Sequence, residues 1–221
     1  MARATGSAAQ QRRRAGERPD GKAARVTKRR GQTRARLLDA AFAVFAERGF
    51  GHVRIEDICE RAGYTRGAFY SNFDDLDELF FALYEERANG VAGEVSRALQ
   101  EAGDLGGGAL VRQVVDALTI DRDWALVRKD FLLHAARNPA VAAALAGQRD
   151  ALRDAIAAPL RAAVSAGSLL PSMGTGTAED MAQAVLTLYD GVSDQLLLDP
   201  SPDRMRAWLT SLITALLVPG S

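Results

Sequence analysis

Arg66 lies in GYTRGAFYSNF, residues 63–73, between a threonine and a glycine and just ahead of Phe69 and Phe73. A guanidinium so placed can take guanine O6 and N7 with two parallel N–H donors, a pairing that discriminates between bases by about 1–3 kcal/mol. Thr65 can cap a helix by accepting a backbone N–H from its first turn. Gly67 lacks the Cβ that would hold a partner away from the backbone. Phe69 and Phe73 are four apart and share one helix face, which must be the inward one. Thr65, Arg66 and Gly67 are then left on the free side, where the chemistry they offer is recognition of DNA.

Other chemistry is poorly served. The chain has two histidines, His52 and His134, and one cysteine, Cys59. They have no zinc-ligand spacing, and the sequence holds neither a Gly-rich phosphate loop nor a G-x-S-x-G nucleophile turn. We therefore expect no enzyme, no metal site and no cofactor. A single cysteine forms no intrachain disulfide, and Cys59 reads as a small core residue.

The elements that position Arg66 follow from local signals. Ile55, Ile58 and Ala62 recur at helical spacing, and Gly63 ends that helix by entering the left-handed conformation without a Cβ penalty. Thr65 starts the next helix almost at once. Three or four connecting residues make a helix-turn-helix, whose second helix enters the major groove.

From about Thr33 to Arg87 the sequence resembles the DNA-binding domain of the TetR family of transcriptional regulators. GYTRGAFYSNF is similar to that family's recognition-helix signature. TRARLLDAAFAVFAERGF at residues 33–50 resembles its first helix, and DELFFAL at 77–83 the start of its long connecting helix. The resemblance implies an all-α protein with an N-terminal three-helix DNA-binding domain and a larger helical domain for ligand binding and dimerisation. It implies a homodimeric repressor, released from a pseudo-palindromic operator by a small molecule. Tyr64, Thr65, Tyr70 and Asn72 match positions that such proteins use mainly for phosphates. Two positions depart from the pattern. Val53 stands where a capping threonine is usual, leaving Glu56 to reach back as half a capping box and Arg54 to serve as a phosphate ligand. Leu76, among Asp74, Asp75 and Asp77, stands where a lysine is common.

The formal charge of zero conceals an asymmetry. Residues 1–36 hold twelve Lys and Arg against two Asp and Glu, and the remainder holds sixteen against twenty-six. Residues 1–31 have almost no large apolar side chain and read as a disordered basic arm. Because residues 37–80 are not basic, the counterion-releasing charge that dominates DNA affinity is expected from Arg29, Arg30, Arg34 and Arg36. The expected division is the arm at 1–31, the DNA-binding domain at 32–78 and the larger domain at 79–221.

In the larger domain a long helix from Asp75 to about Leu99 is expected to transmit between the two parts. Leu110, Val114 and Leu118 form one stripe and Trp124, Val127, Phe131 and Ala135 the next, and a helix over about 139–166 follows. The resemblance implies a small-molecule pocket, for which Tyr84, Leu118, Trp124, Phe131, His134, Met181 and Tyr189 are candidate walls. Their types suggest an apolar or aromatic effector. Two last helices carry seams, Met181, Val185, Leu188 and Val192 in one and Met205, Leu209, Leu212 and Leu216 in the other. Val185, Leu188, Val192 and the four residues of the second seam are the expected dimer interface, a four-helix contact. No run of about 18 apolar residues occurs and the N-terminus lacks a secretory h-region, so a cytoplasmic protein without a membrane span is expected.

Overall fold

Nine α-helices and one 3₁₀ turn follow one another with no strand among the described residues of the computed structural model, which are 20–101, 105–165, 167 and 176–218. The first helix, α1 (Asp20–Arg48), leads into the turn Phe50–His52, then α2 (Ile55–Ala62) and α3 (Arg66–Tyr70). The remainder comprises α4 (Leu76–Glu101), α5 (Gly107–Ala117), α6 (Arg122–Ala135), α7 (Pro139–Ser165), α8 (Ala178–Gln195) and α9 (Pro202–Leu217).

Helix α1 corrects the expected start near Thr33 and the expected disorder of residues 20–31. It begins at Asp20, because DGKAARVTKRRG is dominated by Ala, Lys and Arg, which lose little side-chain freedom in a helix, and is continuous with a strong amphipathic segment. The rest of the expected arm, residues 1–19, lies outside the described residues.

Leu37, Leu38, Ala41, Val44 and Phe45 of α1 pack in one core with Ile58 and Cys59 of α2, Phe69 of α3 and Phe73 just beyond it. Cys59 is buried, as its core reading required, and burial pushes its thiol above the usual range. The capping residues behave as their chemistry dictates. Gly63 has φ 71° and ψ 33° and sends its N–H back to the end of α2, while the Thr65 hydroxyl accepts from the Ala68 N–H. At the head of α4 the Asp75 carboxylate accepts from the Glu78 N–H and Glu78 reaches back to the Asp74 N–H, so the acids after α3 close a helix end.

The N-terminus of α2 corrects the register expected there. Val53 is extended and buried, and the capping position falls on Arg54. An arginine side chain only donates, so it cannot cap. Asp57, not Glu56, closes the end by accepting from the Arg54 N–H at 2.8 Å. That bond, with Arg48 alongside, holds the Asp57 carboxyl below the ordinary carboxylate range.

The core does not stop at the expected boundary near residue 78. Phe80 of α4 stacks on Phe131 of α6 at 3.5 Å between ring centres, and Phe50 meets Phe131 edge-on at 4.9 Å. The Asp130 carboxylate accepts from the Phe50 N–H at 3.3 Å. Gly49 has φ 79°, and a Cβ there would lie 2.8 Å from the same carboxylate, so glycine is required twice over. The first three helices are thus bolted to α6 through the Phe50 turn as well as continuous with α4. A second core, formed by α4, α5, α7, α8 and α9, lies beyond.

Candidate nucleic-acid interface

Three of the expected contact residues stand together on one exposed surface. Thr65, Arg66 and Gly67 open α3, and Tyr70, one turn on, is 48 % exposed. Gly67 is instructive because the chain itself does not require it. Its φ is not positive, and an added Cβ would meet only the Thr65 hydroxyl at 3.7 Å. The fold thus leaves this position open on the exposed surface.

Arg66 is engaged. Its Nη1 lies 2.9 Å from Glu56 Oε1, its Nη2 donates to the Tyr70 hydroxyl at 3.3 Å, and its guanidinium sits 5.8 Å from the Tyr70 ring centre. These contacts, the tyrosine bond first, raise its pKa further. All are exposed, so they orient the side chain at little energetic cost to its release. The Glu56 pairing was not found from the sequence, because the residues are ten apart and only the tight turn brings them together.

The other expected contacts divide. Arg54 is exposed at the start of α2. Arg29 is exposed too, but Arg30 donates to the Ser71 carbonyl at 3.0 Å and Arg34 lies over the Phe73 ring at 5.0 Å. Both therefore fasten α1 to the end of α3, where a cation complements the exposed carbonyls. Tyr64 is half-buried against the head's core. Asn72 turns inward: its amide donates to the Ala68 carbonyl at 2.8 Å, and its Oδ1 is buried without a partner, so it finishes α3 instead of facing outward.

In the larger part an apolar chamber, partly open to solvent, lies between α4, α5, α7, α8 and α9. Val91, Val95, Val111, Ile156, Leu160 and Ile213 are among its walls, together with Leu118 and Tyr189 from the expected set. A second chamber shares Val91, Leu186 and Tyr189 with it and adds Tyr84, Trp124, Arg87, Arg128 and Arg149. Tyr84, Leu118, Trp124 and Tyr189 thus line cavities as expected. Phe131, His134 and Met181 do not. Phe131 is fully buried in the junction with the Phe50 turn, and Met181 is fully buried in the second core. His134 belongs to the junction as well: its ring packs 4.8 Å from Phe50, and its Nε2 lies 2.9 Å from Asp77 Oδ1 without the alignment of a hydrogen bond. An aromatic on an amphipathic helix packs wherever a neighbour needs volume, and helix–helix contact needed it here.

The dimer expectation is corrected in the same way. Val192, Met205 and Leu209 are buried within the chain's own core, and Val185 lines the apolar chamber. Leu188 and Leu216 are partly buried against that core. Only Leu212, 44 % exposed, faces outward, beside Trp208 at 48 %. The spacing identified a stripe, and α5 and α8 of the same chain cover it.

Among the described residues no cluster suits a metal ion, and no helix is long and apolar enough to cross a membrane.

Residues 37–83 match the model of "Bacterial regulatory proteins, tetR family", and residues 108–218, half of the chain, match "BetI-type transcriptional repressor, C-terminal". The HTH-type transcriptional regulator AcrR of Shigella flexneri is 40% identical over 63 residues, 28% of this chain and 29% of that protein. TtgR of Pseudomonas putida is 43% identical over 54 residues, 24% of this chain and 26% of that protein. The HTH-type transcriptional activator FasR of Mycolicibacterium smegmatis is 29% identical over 129 residues, 58% of each. The chain therefore spans less than two thirds of the length of these relatives. Among solved structures, FadR of Bacillus subtilis in complex with stearoyl-CoA has the same fold, with a TM-score of 0.66, 15% identity and coverage of 83% of this chain and 97% of that one. A transcriptional regulator of Rhodococcus sp. Rha1 gives a TM-score of 0.64 at 24% identity, over 83% and 95%.

Proposed function

The chain belongs to the tetR family of bacterial regulatory proteins, and we propose that it is a homodimeric repressor that leaves its operator when a small molecule occupies the larger domain. The observation that carries the DNA-binding part is Gly67, a bare backbone position at the start of α3 that the chain's own packing does not need. Arg66 beside it reads a base, and Thr65, Tyr70, Arg54 and Arg29 hold phosphates. Two copies joined through α8 and α9, with Trp208 and Leu212 at the contact, present two such helices to half-sites about one turn of DNA apart or somewhat more.

Ligand release is supported by the two faces of α6. The helix carries Trp124 and Arg128 into the second chamber on one side, and Asp130 and His134 onto the Phe50 turn on the other, with Phe131 between them against Phe50 and Phe80. A ligand that moves α6 moves the DNA-binding head with it. Coupling of this kind typically amounts to about 1–3 kcal/mol, or roughly 5- to 150-fold weaker DNA binding. FadR of Bacillus subtilis, of the same fold, holds stearoyl-CoA. Activation is a second reading, supported by the match to FasR, and the position of the operator relative to the promoter decides between them.

Footprinting the purified protein on the DNA upstream of its own gene tests the proposal. A protected pseudo-palindrome, lost on adding a compound that binds the chambers, is the expected result. Protection that no bound compound reverses would leave a DNA-binding regulator without ligand control.

A further inference from the structure

The two chambers differ in polarity, and that difference defines a ligand. The first is walled by aliphatic side chains and Tyr189 alone. The second shares the wall of Val91, Leu186 and Tyr189 with it and is lined by three arginines and one aspartate. All but Arg87 belong to a chain of ion pairs across α6, α7 and α8. Arg149 lies 2.7 Å from Asp190, which also pairs with Arg128. Arg128 approaches Asp194 at 3.8 Å, and Asp194 holds Lys129 at 2.5 Å.

The chain begins and ends on a cation. Three cations share two carboxylates, so one positive charge has no counterpart within it. Arg87 completes the wall from α4, stacked 4.3 Å from the Phe42 ring and 5.5 Å from Trp124, with one nitrogen 3.3 Å from Asp121. Partly buried cations in excess favour an anion. Its position is decided by the acids. Asp194 Oδ1 is buried without a hydrogen bond, which repels an anion from that end. The opposite end offers Arg149, Arg87 and the phenol of Tyr84 around Asp190, which Arg149 and Arg128 already hold, beside the wall of Val91, Leu186 and Tyr189 shared with the apolar chamber.

We propose that the effector is an amphipathic anion, a monocarboxylate or similar acid on an aliphatic body, with its head between Arg87, Arg149 and Tyr84 and its tail in the chamber of Val95, Val111, Ile156 and Leu160. The proposal rests on the ligand-responsive reading for its regulatory meaning, whereas the binding it predicts is measurable without DNA. For a cationic head, Asp190 and Asp194 are already ion-paired, and Glu94, whose Oε2 is buried without a hydrogen bond, lines neither chamber.

The test is calorimetric titration of the full chain at neutral pH with decanoate, decanol and decyltrimethylammonium, each below its aggregation concentration. Decanoate is expected to bind at least tenfold more tightly than the other two. Arg149→Gln, at a half-exposed position, is expected to reduce decanoate to the level of decanol while leaving decanol unchanged, and Arg149→Lys to restore part of the preference. Equal binding of decanol and decanoate would overturn the anionic head. Tighter binding of the ammonium would move the polar site to Glu94. A decanoate preference that survives Arg149→Gln would remove the head from this corner. Decanoate that binds as predicted without releasing operator DNA leaves this inference standing and removes ligand release from the proposed function. Release by a different compound, with no decanoate preference, does the reverse.

Discussion

Helices α3 and α9 both place apolar residues at helical spacing, yet one was legible in the sequence and the other was not. Around α3 each junction is governed by a residue whose own chemistry permits one answer. Gly63 enters the left-handed region, Thr65 caps, and Phe69 and Phe73 have only the head's core to enter. Along α9, Met205, Leu209, Leu212 and Leu216 follow the same periodicity, but a stripe does not state which neighbour covers it. Three partners compete for the apolar face of α9: α5 and α8 of the same chain, and a second copy. Local backbone chemistry fixes an element, whereas the partner of an apolar face is a property of the whole fold.

The largest expected effect breaks this comparison at α9. Leu209 is fully buried, so Leu209→Ala should cost about 2–5 kcal/mol in chemical unfolding, the range for emptying a leucine site in a packed core. Leu212→Glu lies on the outer face and should shift sedimentation toward the monomer instead. If Leu209→Ala dissociated the dimer with stability unchanged, the inward orientation of the stripe would be wrong.

The same distinction explains what was legible elsewhere. The helices of the larger domain followed from periodicity, whereas a pocket among Tyr84, Leu118, Trp124 and Tyr189 was implied by the family resemblance. The junction did not. Phe131 and His134 looked like pocket residues because nothing local reveals that a turn eighty residues earlier places Phe50 against them. The ion-paired wall of Arg128, Arg149, Asp190 and Asp194 was equally hidden, since each of these reads singly as a solvated surface charge. At Val53 the difference is one of register: the residue is extended and buried, one place before the position that caps α2.

On the α3 side the expected effects are on DNA. Arg66→Ala should weaken operator binding by about 1–3 kcal/mol and relax the preference at one base position. Equal weakening on every sequence, measured by competition with operator variants, would reassign Arg66 to a phosphate. Gly67→Ala separates folding from binding more sharply. The isolated protein should gain up to about 1 kcal/mol, because alanine is the better helix former and its Cβ has room. Operator affinity should nevertheless fall. A variant both more stable and undiminished in DNA binding would show that nothing approaches this backbone.

Arg54→Ser is the smallest and the most discriminating change, since it alters one position in two independent ways. A serine at the start of α2 supplies the acceptor that arginine lacks, adding about 0.5 kcal/mol, the low end for an exposed cap. Asp57 already closes the other half of that helix end, so the gain adds to an existing bond and does not replace it. On DNA the substitution removes one cation. If Arg54 holds a phosphate, the slope of log affinity against log salt should fall by about 0.9. A stabilised protein with an unchanged slope would leave Arg54 a solvated charge beside α2 and assign the phosphate contact at this helix end to the backbone N–H groups. A lower slope with no gain in stability would mean that Asp57 alone satisfies the helix start, in which case the family's capping position is held here for its charge.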